Sequence, residues 1–386
     1  MRLPEVVILG AGIMGASAGW HLMRRGVKHV LLLDRAAFPG QGSTGRATGG
    51  FRAQYATTIN VRLSLLSREK LASFRDDTGV DSGYDPCGYL WLAGSERELA
   101  AFEAGRRVQH EAGLHEAVLV SMDEIRTLNP ALALEGIVGG AWCPTDGFLR
   151  PRDMLAGYLQ NAEERGARVR WTAEVTALEC RDGRVVAVRL GSERIPCGAV
   201  VNALGPWAAG VMEGTGFDLP VKPLRRQVAA TVATDALPAD MPMTIFAEDG
   251  FHLRVRDGRV LLLWPTAGAA GRPFDEGVDA EWVREVTAKG RARIPALRDV
   301  PVDASACWGG LYEMSPDKHA ILGAAPGMSN LFLINGSSGH GVMHAPALGH
   351  LLAEIVCEGS ASTLDVHALR PGRFAERDLN PVSELL

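Results

Sequence analysis

The sequence predicts an α/β protein organised around a mostly parallel sheet, and three observations lead there. Residues 6–35, "VVILGAGIMGASAGWHLMRRGVKHVLLLDR", set an apolar run, three spaced glycines, a helical stretch and a second apolar run that ends in an acid. The chain has 386 residues, enough for two modest domains or one large discontinuous one. With 47% hydrophobic and 22% charged residues, it has the balance of a globular protein and not of a disordered one.

The elements follow in order. Val6–Leu9 are all apolar, as in a parallel strand buried on both faces. Gly10 suits a tight turn, Gly12 lets a backbone approach a pyrophosphate, and Gly15 lets a helix pack closely on the strand. That helix opens at Ile13 and Met14, stops at Gly26, and turns its positive end toward bound phosphates. "HVLLLD" is the second strand, and Asp34, followed by Arg35, stands where a carboxylate takes both hydroxyls of a ribose. An acid there disfavours a 2′-phosphate. NAD and FAD both fit this unit.

The next stretch, "GQGSTGRATGGFRAQY" (residues 40–55), fits no regular strand or helix. Ser43, Thr44, Arg46, Ala47, Thr48, Gly49 and Gly50 make it dense in backbone and hydroxyl donors, able to wrap the rest of a long cofactor. Further on, "RVRWTAEVTALECRDGRVVAVRL" is two alternating runs meeting at Asp182-Gly183, a hairpin signal. "AVVNALGPW" is a buried strand ending in Gly205-Pro206, a turn suited to close approach. "FHLRVRDGRVLLLW" is a hairpin turning at Asp257-Gly258, with Phe251, Leu253 and Val255 on one face and His252, Arg254 and Arg256 on the other. Near the end, "LFLINGSSGHGVMHAPALGHLLAEIVCEG" is strand, glycine-rich turn and helix, with Pro346 in its first turn and Gly359 just past its end. The loop of Gly336, Gly339, His340, Gly341, Val342 and Met343 then presents N–H groups and a helix N-terminus.

With "GSTGRATGGFRAQY", "DGFLRPRDMLAGYLQNAEERGARVRWTAEVTALE", "AVVNALGPWAAGV", "LPVKPLRRQ", "GGLYEMSPDKHAILG" and the C-terminal glycine loop in this order, the chain resembles the D-amino-acid-oxidase-type flavoproteins. Within them it is most similar to the sarcosine oxidase, dimethylglycine dehydrogenase and proline dehydrogenase β-subunit branch. The regions 88–140 and 231–304 carry little recognisable pattern. The resemblance implies FAD, with Val175 beside the adenosine, Gly205 and Gly310 near the cofactor, and the loop 336–343 stabilising negative charge on the reduced flavin. It also implies a Rossmann-like FAD-binding domain (residues 1–85, 141–220 and 305–386), α+β overall. A discontinuous substrate domain (86–140 and 221–304) would be built on a mixed or antiparallel sheet, one face of the 251–264 hairpin lining the pocket.

Oxidising an amino acid's C–N bond on a flavin needs a grip on the carboxylate and a dry pocket. The resemblance makes Arg52 that grip, its planar fork suited to a bidentate hold, against a surface or pyrophosphate-facing arginine. Arg46 falls on the cofactor side. Tyr312 stands where glycine and D-amino-acid oxidases carry a carboxylate-binding arginine, which argues against that branch and fits an aromatic wall or a core tyrosine. His252 is a catalytic candidate or a satisfied histidine, and Tyr89 and Trp91 of "GYLWLA" belong to the same sheet or to a plain core strand.

Several classes drop out. A net charge of −5 without basic blocks gives no nucleic-acid footprint. Six scattered cysteines without a C-x-x-C pair give no metal site or redox disulfide. No signal sequence or apolar stretch of about 18 residues is present, so a soluble cytoplasmic protein is expected. Gly310 stands where covalent members place a flavin-linking cysteine, Cys307 is three residues off, and Pro151 replaces an FMN-linking histidine, so FAD is expected to be noncovalent. Met343 replaces a flavin-contacting lysine, and no lysine lies near "RVLLLW"; with both charges gone, slow reaction with oxygen is expected. The stretch "TAGAAGRPFDEG" reads as a mobile loop over the pocket. The expected activity is C–N oxidation of sarcosine, dimethylglycine, proline or a similar amine, the acceptor being oxygen, a quinone or a partner subunit. A 2-hydroxy acid dehydrogenase and a β subunit inactive without its partners stand beside it; homo- or hetero-oligomers are both open.

Overall fold

A computed structural model describes residues 3–266 and 273–382. Its central sheet runs in the order Ile321–Ala324, Leu331–Asn335, Ala199–Asn202, Val6–Leu9, Val30–Leu33, Arg168–Arg170. Every neighbouring pair is parallel except Ile321–Ala324, which closes one edge antiparallel. Val6–Leu9 is wholly buried because it is central and covered on both faces. On one side lie the helices Ile13–Arg24, Pro151–Glu164 and Gly341–Glu358. On the other lies a three-stranded antiparallel sheet formed by Ala177–Arg181, Arg184–Leu190 and Glu193–Pro196.

The second body is an eight-stranded sheet. Its order is Trp308–Met314, Lys222–Ala230, Arg259–Leu263, His252–Arg256, Met243–Phe246, Tyr89–Ala93, Gly139–Cys143, Val118–Val120. All pairings are antiparallel except Met243–Phe246 with Tyr89–Ala93. The helix Ala280–Arg293 packs on one face through Trp282 and Val286, with Phe251, Leu253 and Val255 beneath it. That leaves His252, Arg254 and Arg256 on the opposite face, where Arg254 and Arg256 donate to the carbonyls of Thr48 and Ala47. The polar face of the hairpin is therefore the one turned toward the first body.

Several expectations need correction. The strand Trp308–Met314 pairs with Lys222–Ala230 along its length, so it lies in the eight-stranded sheet although it falls past residue 304. The strand Gly139–Cys143 runs across the expected boundary at 140. The stretch 40–55 is not wholly irregular: Ser43–Arg46 forms a helical turn, and Gly50–Phe51 pairs with Gly147–Phe148. The run before Asp182 is two strands, Arg168–Arg170 and Ala177–Arg181, so Val175 lies between strands. Pro346 is the sixth residue of its helix, in the second turn, and leaves the Val342 carbonyl without its helical donor. Most of the loop expected over the pocket, residues 267–272, lies outside the described residues.

Both hairpins turn as the sequence indicates. Asp182-Gly183 and Asp257-Gly258 have positive φ at both positions, 49° and 70° in the first and 51° and 70° in the second. Among the described residues, no helix is long and apolar enough to cross a membrane.

Candidate active site

One cleft of about 1240 Å³ runs between the two bodies, larger than an ordinary small-ligand pocket. It starts at the first glycine turn. Gly10 has φ +94°, and a Cβ on Gly15 would lie 1.9 Å from the Gly10 carbonyl oxygen, so helix and turn can touch only without that atom. Gly15 itself does not line the cleft; its part is packing. Gly12 does line it, and a Cβ there would meet only the Thr44 hydroxyl, at 3.3 Å.

Side chains from elsewhere complete this end. Asp34 accepts from the N–H groups of Ala11 (2.8 Å) and Ala36 (2.8 Å), which fixes the carboxylate at the tip of its strand. The Thr44 hydroxyl accepts from Ile13 N–H at 3.0 Å. The N–H groups of Gly12 and Met14 make no hydrogen bond among the described residues, so the helix start keeps donors for a ligand. Arg35 stacks over Trp207 at 4.0 Å, and Phe274 stacks on the same indole. Val175 and Gly205 line the cleft nearby.

The segment 43–50 crosses its floor. Ser43 donates to the Leu311 carbonyl, and Arg46 donates to the Gly309 carbonyl and pairs with Glu276 at 2.9 Å. A Cβ on Gly310 would sit 3.2 Å from Arg46 Cβ, which ties this segment to the outer strand of the large sheet. Ala47, Thr48, Gly49 and Gly50 also line the cleft. From the far end of the chain come Gly339, His340, Gly341, Val342 and Met343, at the start of Gly341–Glu358. Gly339 has φ +93°, and its missing Cβ would strike the Tyr312 ring at 2.5 Å. Gly336 lies behind, against Ile321 and Ser315, and does not reach the cleft.

Arg52 is buried, at 6% exposure, which excludes the surface reading. Its guanidinium lies 3.2 Å from His340 Nε2, 4.3 Å from the Tyr55 ring centroid and 5.2 Å from that of Trp91. Tyr312 is 37% exposed and lines the cleft, so it is not a core tyrosine. Tyr89 and Trp91 line it too. The Met343 sulfur accepts from the Tyr55 hydroxyl at 3.1 Å.

His252 Nδ1 lies 2.8 Å from the Gly250 carbonyl oxygen. A carbonyl only accepts, so Nδ1 carries the proton, and the neutral ring has its lone pair on Nε2. Burial, with the nearby cations Arg52 and Arg226, pushes this histidine down to about 4. It is neutral at physiological pH.

Among the polar residues that line the cleft, Arg226, Lys318, Glu313 and Ser337 were not singled out from the sequence. Arg226 enters from Lys222–Ala230, donates to the Thr266 carbonyl at 2.8 Å and lies over the Tyr312 ring. Lys318 lines the cleft from a turn with φ +58°. The positions expected to carry lysine lack it, and Arg226 and Lys318 are cations that line the cleft from elsewhere. Glu313 accepts from Ser337 N–H through Oε1 at 3.3 Å, while its buried Oε2 has no partner among the described residues, and burial pushes the acid up to about 7. Among the described residues, Trp91 Nε1 and Ser337 Oγ are buried without hydrogen-bond partners as well. Alternation could have flagged Arg226 and Glu313, which lie on strands; Lys318 and Ser337 depend on loop geometry that no local pattern encodes.

Cys307 lies outside the cleft, its thiol against the Asp303 carbonyl. Among the described residues no group of three or more His, Cys, Asp or Glu could hold a metal.

The family model described as "DAO: FAD dependent oxidoreductase" matches residues 5–355. FAD-dependent oxidoreductase domain-containing protein 1 of Xenopus laevis is 27% identical over 96% of this chain and 82% of its own length. Glycine oxidase of Geobacillus kaustophilus is 28% identical over 91% of this chain and 92% of its own. The crystal structure of L-proline dehydrogenase from P. horikoshii superposes with a TM-score of 0.90 at 26% identity, covering 98% of this chain and all of that one (100%).

Proposed function

We propose, from the premise that this chain belongs to the DAO family of FAD dependent oxidoreductases, that it oxidises the C–N bond of a small amino acid, a secondary or tertiary amine such as sarcosine, dimethylglycine or proline. FAD is the family's cofactor, and the cleft suits it. Two helix N-termini meet there, Gly12 leaves the backbone open, and Asp34 stands at the ribose position. Among the described residues Glu313 Oε2 is buried without a partner, a polar atom of the kind that a large polar ligand satisfies. With Gly310 at the cysteine position and Cys307 outside the cleft, the cofactor is held noncovalently. When bound, FAD supplies an acceptor for two electrons and a hydride.

The chain's own residues bind, orient and dry the substrate. Arg52 takes the carboxylate, held in place by His340, Tyr55 and Trp91, and Trp91 Nε1 offers a further donor. His252 Nε2 accepts a hydrogen from the substrate amine and orients it. Because it stays neutral, it acts as an acceptor and not as a strong base. Met243, Ile245 and Leu263 form an apolar wall that keeps water out.

The observation that carries this reading is the meeting of Arg52 with the C-terminal glycine loop, as the Arg52–His340 contact, in the cleft that also holds the first glycine turn. The test is anaerobic loss of visible flavin absorbance when the FAD-loaded chain meets sarcosine, dimethylglycine, proline and their 2-hydroxy analogues. Bleaching by the amines is expected. Bleaching by the hydroxy acids alone would overturn the assignment.

A further inference from the structure

Arg52 sits one residue beyond the end of a ladder. Gly50–Phe51 pairs with Gly147–Phe148, Phe51 opposite Gly147, so the next pair along would set Arg52 against Asp146. The ladder stops there, and side chains take over from it. Asp146, fully buried at 0% exposure, accepts from the Ala53 N–H through Oδ1 at 2.6 Å. Ser64, equally buried, donates from Oγ to the Arg52 carbonyl at 2.8 Å. The peptide unit that joins Arg52 to Ala53 therefore has its N–H and its C=O each held by a buried side chain.

Each holder is itself held. Asp146 Oδ2 accepts from Gln54 Nε2 at 3.1 Å, and the same amide donates to the Tyr89 carbonyl at 3.2 Å. Both Asp146 oxygens thus face donors, which a carboxylate satisfies and an asparagine amide does not. Ser64 Oγ spends its one hydrogen on the Arg52 carbonyl, so it accepts from His344 Nε2, 2.8 Å away. His340, at the N-cap of the same helix, accepts from the Arg52 guanidinium at 3.2 Å. A guanidinium stands several bonds from its Cα, so a small error in the backbone grows at its tip, and a misplacement of about 1 Å can cost on the order of 100-fold in rate. We propose that Asp146 is a positioning residue for the substrate carboxylate: with Ser64 it clamps the Arg52–Ala53 peptide and so aims the guanidinium, without touching the ligand itself. The inference rests on the amine-oxidising reading above, in which Arg52 takes the carboxylate, and adds the group that directs it.

The test uses the FAD-loaded full chain and whichever of N-methylglycine, dimethylglycine and proline bleaches the flavin, paired with its carboxamide, which keeps the amine and loses the anion. The anaerobic bleaching rate against concentration gives a dissociation constant and, separately, a limiting rate. Asp146→Asn is expected to weaken binding of the amino acid about tenfold, the scale of one misdirected charge-assisted hydrogen bond, and binding of the carboxamide less than about twofold. Ser64→Ala, at the other end of the clamp, should shift the same constant in the same direction. In an Arg52→Met background either substitution should add less than about twofold, because no guanidinium is left to aim. A merely structural defect would weaken both ligands alike and persist in Arg52→Met; either result overturns the inference, and so does an Asp146→Asn protein that binds the amino acid as the unsubstituted chain does. Where Asp146→Asn does not fold, a Ser64→Ala protein without the carboxylate-selective loss overturns it. If Arg52→Met weakens the amino acid and the clamp variants do not, this inference alone fails. Unchanged binding in Arg52→Met removes the carboxylate grip and the clamp together, and no bleaching by any amine removes the amine-oxidising reading as well.

Discussion

Arg52 is useful because of the groups that fix it. A guanidinium on a free side chain loses rotamer entropy on every binding event, whereas here His340 and two aromatic rings have already restricted it. Replacing it with Met should raise the dissociation constant of sarcosine roughly 10- to 150-fold, corresponding to a charged hydrogen bond of about 1.5–3 kcal/mol; flavin spectral titration measures it. His252 makes a different kind of prediction. Its pKa lies near 4, so no titration of this ring should appear between pH 5 and 8, and a kcat/KM profile should follow the substrate amine. A break near 6.5 that disappears in His252→Gln would refute the neutral assignment. Glu313 is shifted the other way, from 4.5 to about 7. Between those values the folded state holds a proton that the unfolded state has released, so apoprotein stability should fall as pH rises from about 4.5 to 7. Glu313→Gln should remove that slope and raise the apoprotein melting temperature above pH 7, a scanning-fluorimetry measurement that needs no substrate.

At the scale of elements, the decisive contact is between helices from opposite ends of the sequence. Ile13–Arg24 and Gly341–Glu358 approach so closely that a Cβ on Gly349 would lie 2.2 Å from the Ser17 hydroxyl, which itself donates to the Ala345 carbonyl at 2.7 Å. Gly349→Val should cost about 1–3 kcal/mol through overpacking and weaken FAD retention, because both helix N-termini line the cleft. Denaturant titration and flavin release on dilution measure the two effects. Local chemistry made much of this level legible. The glycine turns, the two Asp-Gly hairpins and the buried central strand all follow from backbone freedom and apolar runs, which a sequence displays directly. Pro346 does not mark the first turn because a helix start is set by the loop before it, and Gly341 already carries helical geometry. The strand Trp308–Met314 was placed with the wrong body because its partner lies some eighty residues earlier, a pairing that no local pattern reveals. The alternation of Arg226 and Glu313 along their strands is legible in the sequence, but what each faces is not, because the neighbours come from distant segments.

For the molecule as a whole, the C-terminal segment is part of the support for the cleft. Arg373, fully buried, forks onto Asp317 at 2.8 and 2.9 Å, and Asn380 adds another donor to the same carboxylate. Burial works against this charge, but the Arg373 fork and the Asn380 amide outweigh it and hold Asp317 well below the usual carboxylate range. A depressed folded pKa gives stability that is present above the unfolded value near 3.9 and is lost as pH falls toward the folded one. Acid unfolding below about pH 4 should therefore carry this term, and Arg373→Met should cost on the order of 3–5 kcal/mol by stranding a buried acid, measured by denaturant melts at neutral pH. The same pair braces the turn that carries Lys318 to the cleft. Vectorial synthesis meets this architecture late. A nascent chain makes its first glycine turn early, yet the cleft wall formed by residues 337–343, and the Arg373 brace behind it, are translated only after nearly all of the intervening sheet and helices. A chain stalled on the ribosome between the two would expose a half-built groove to chaperones and proteases.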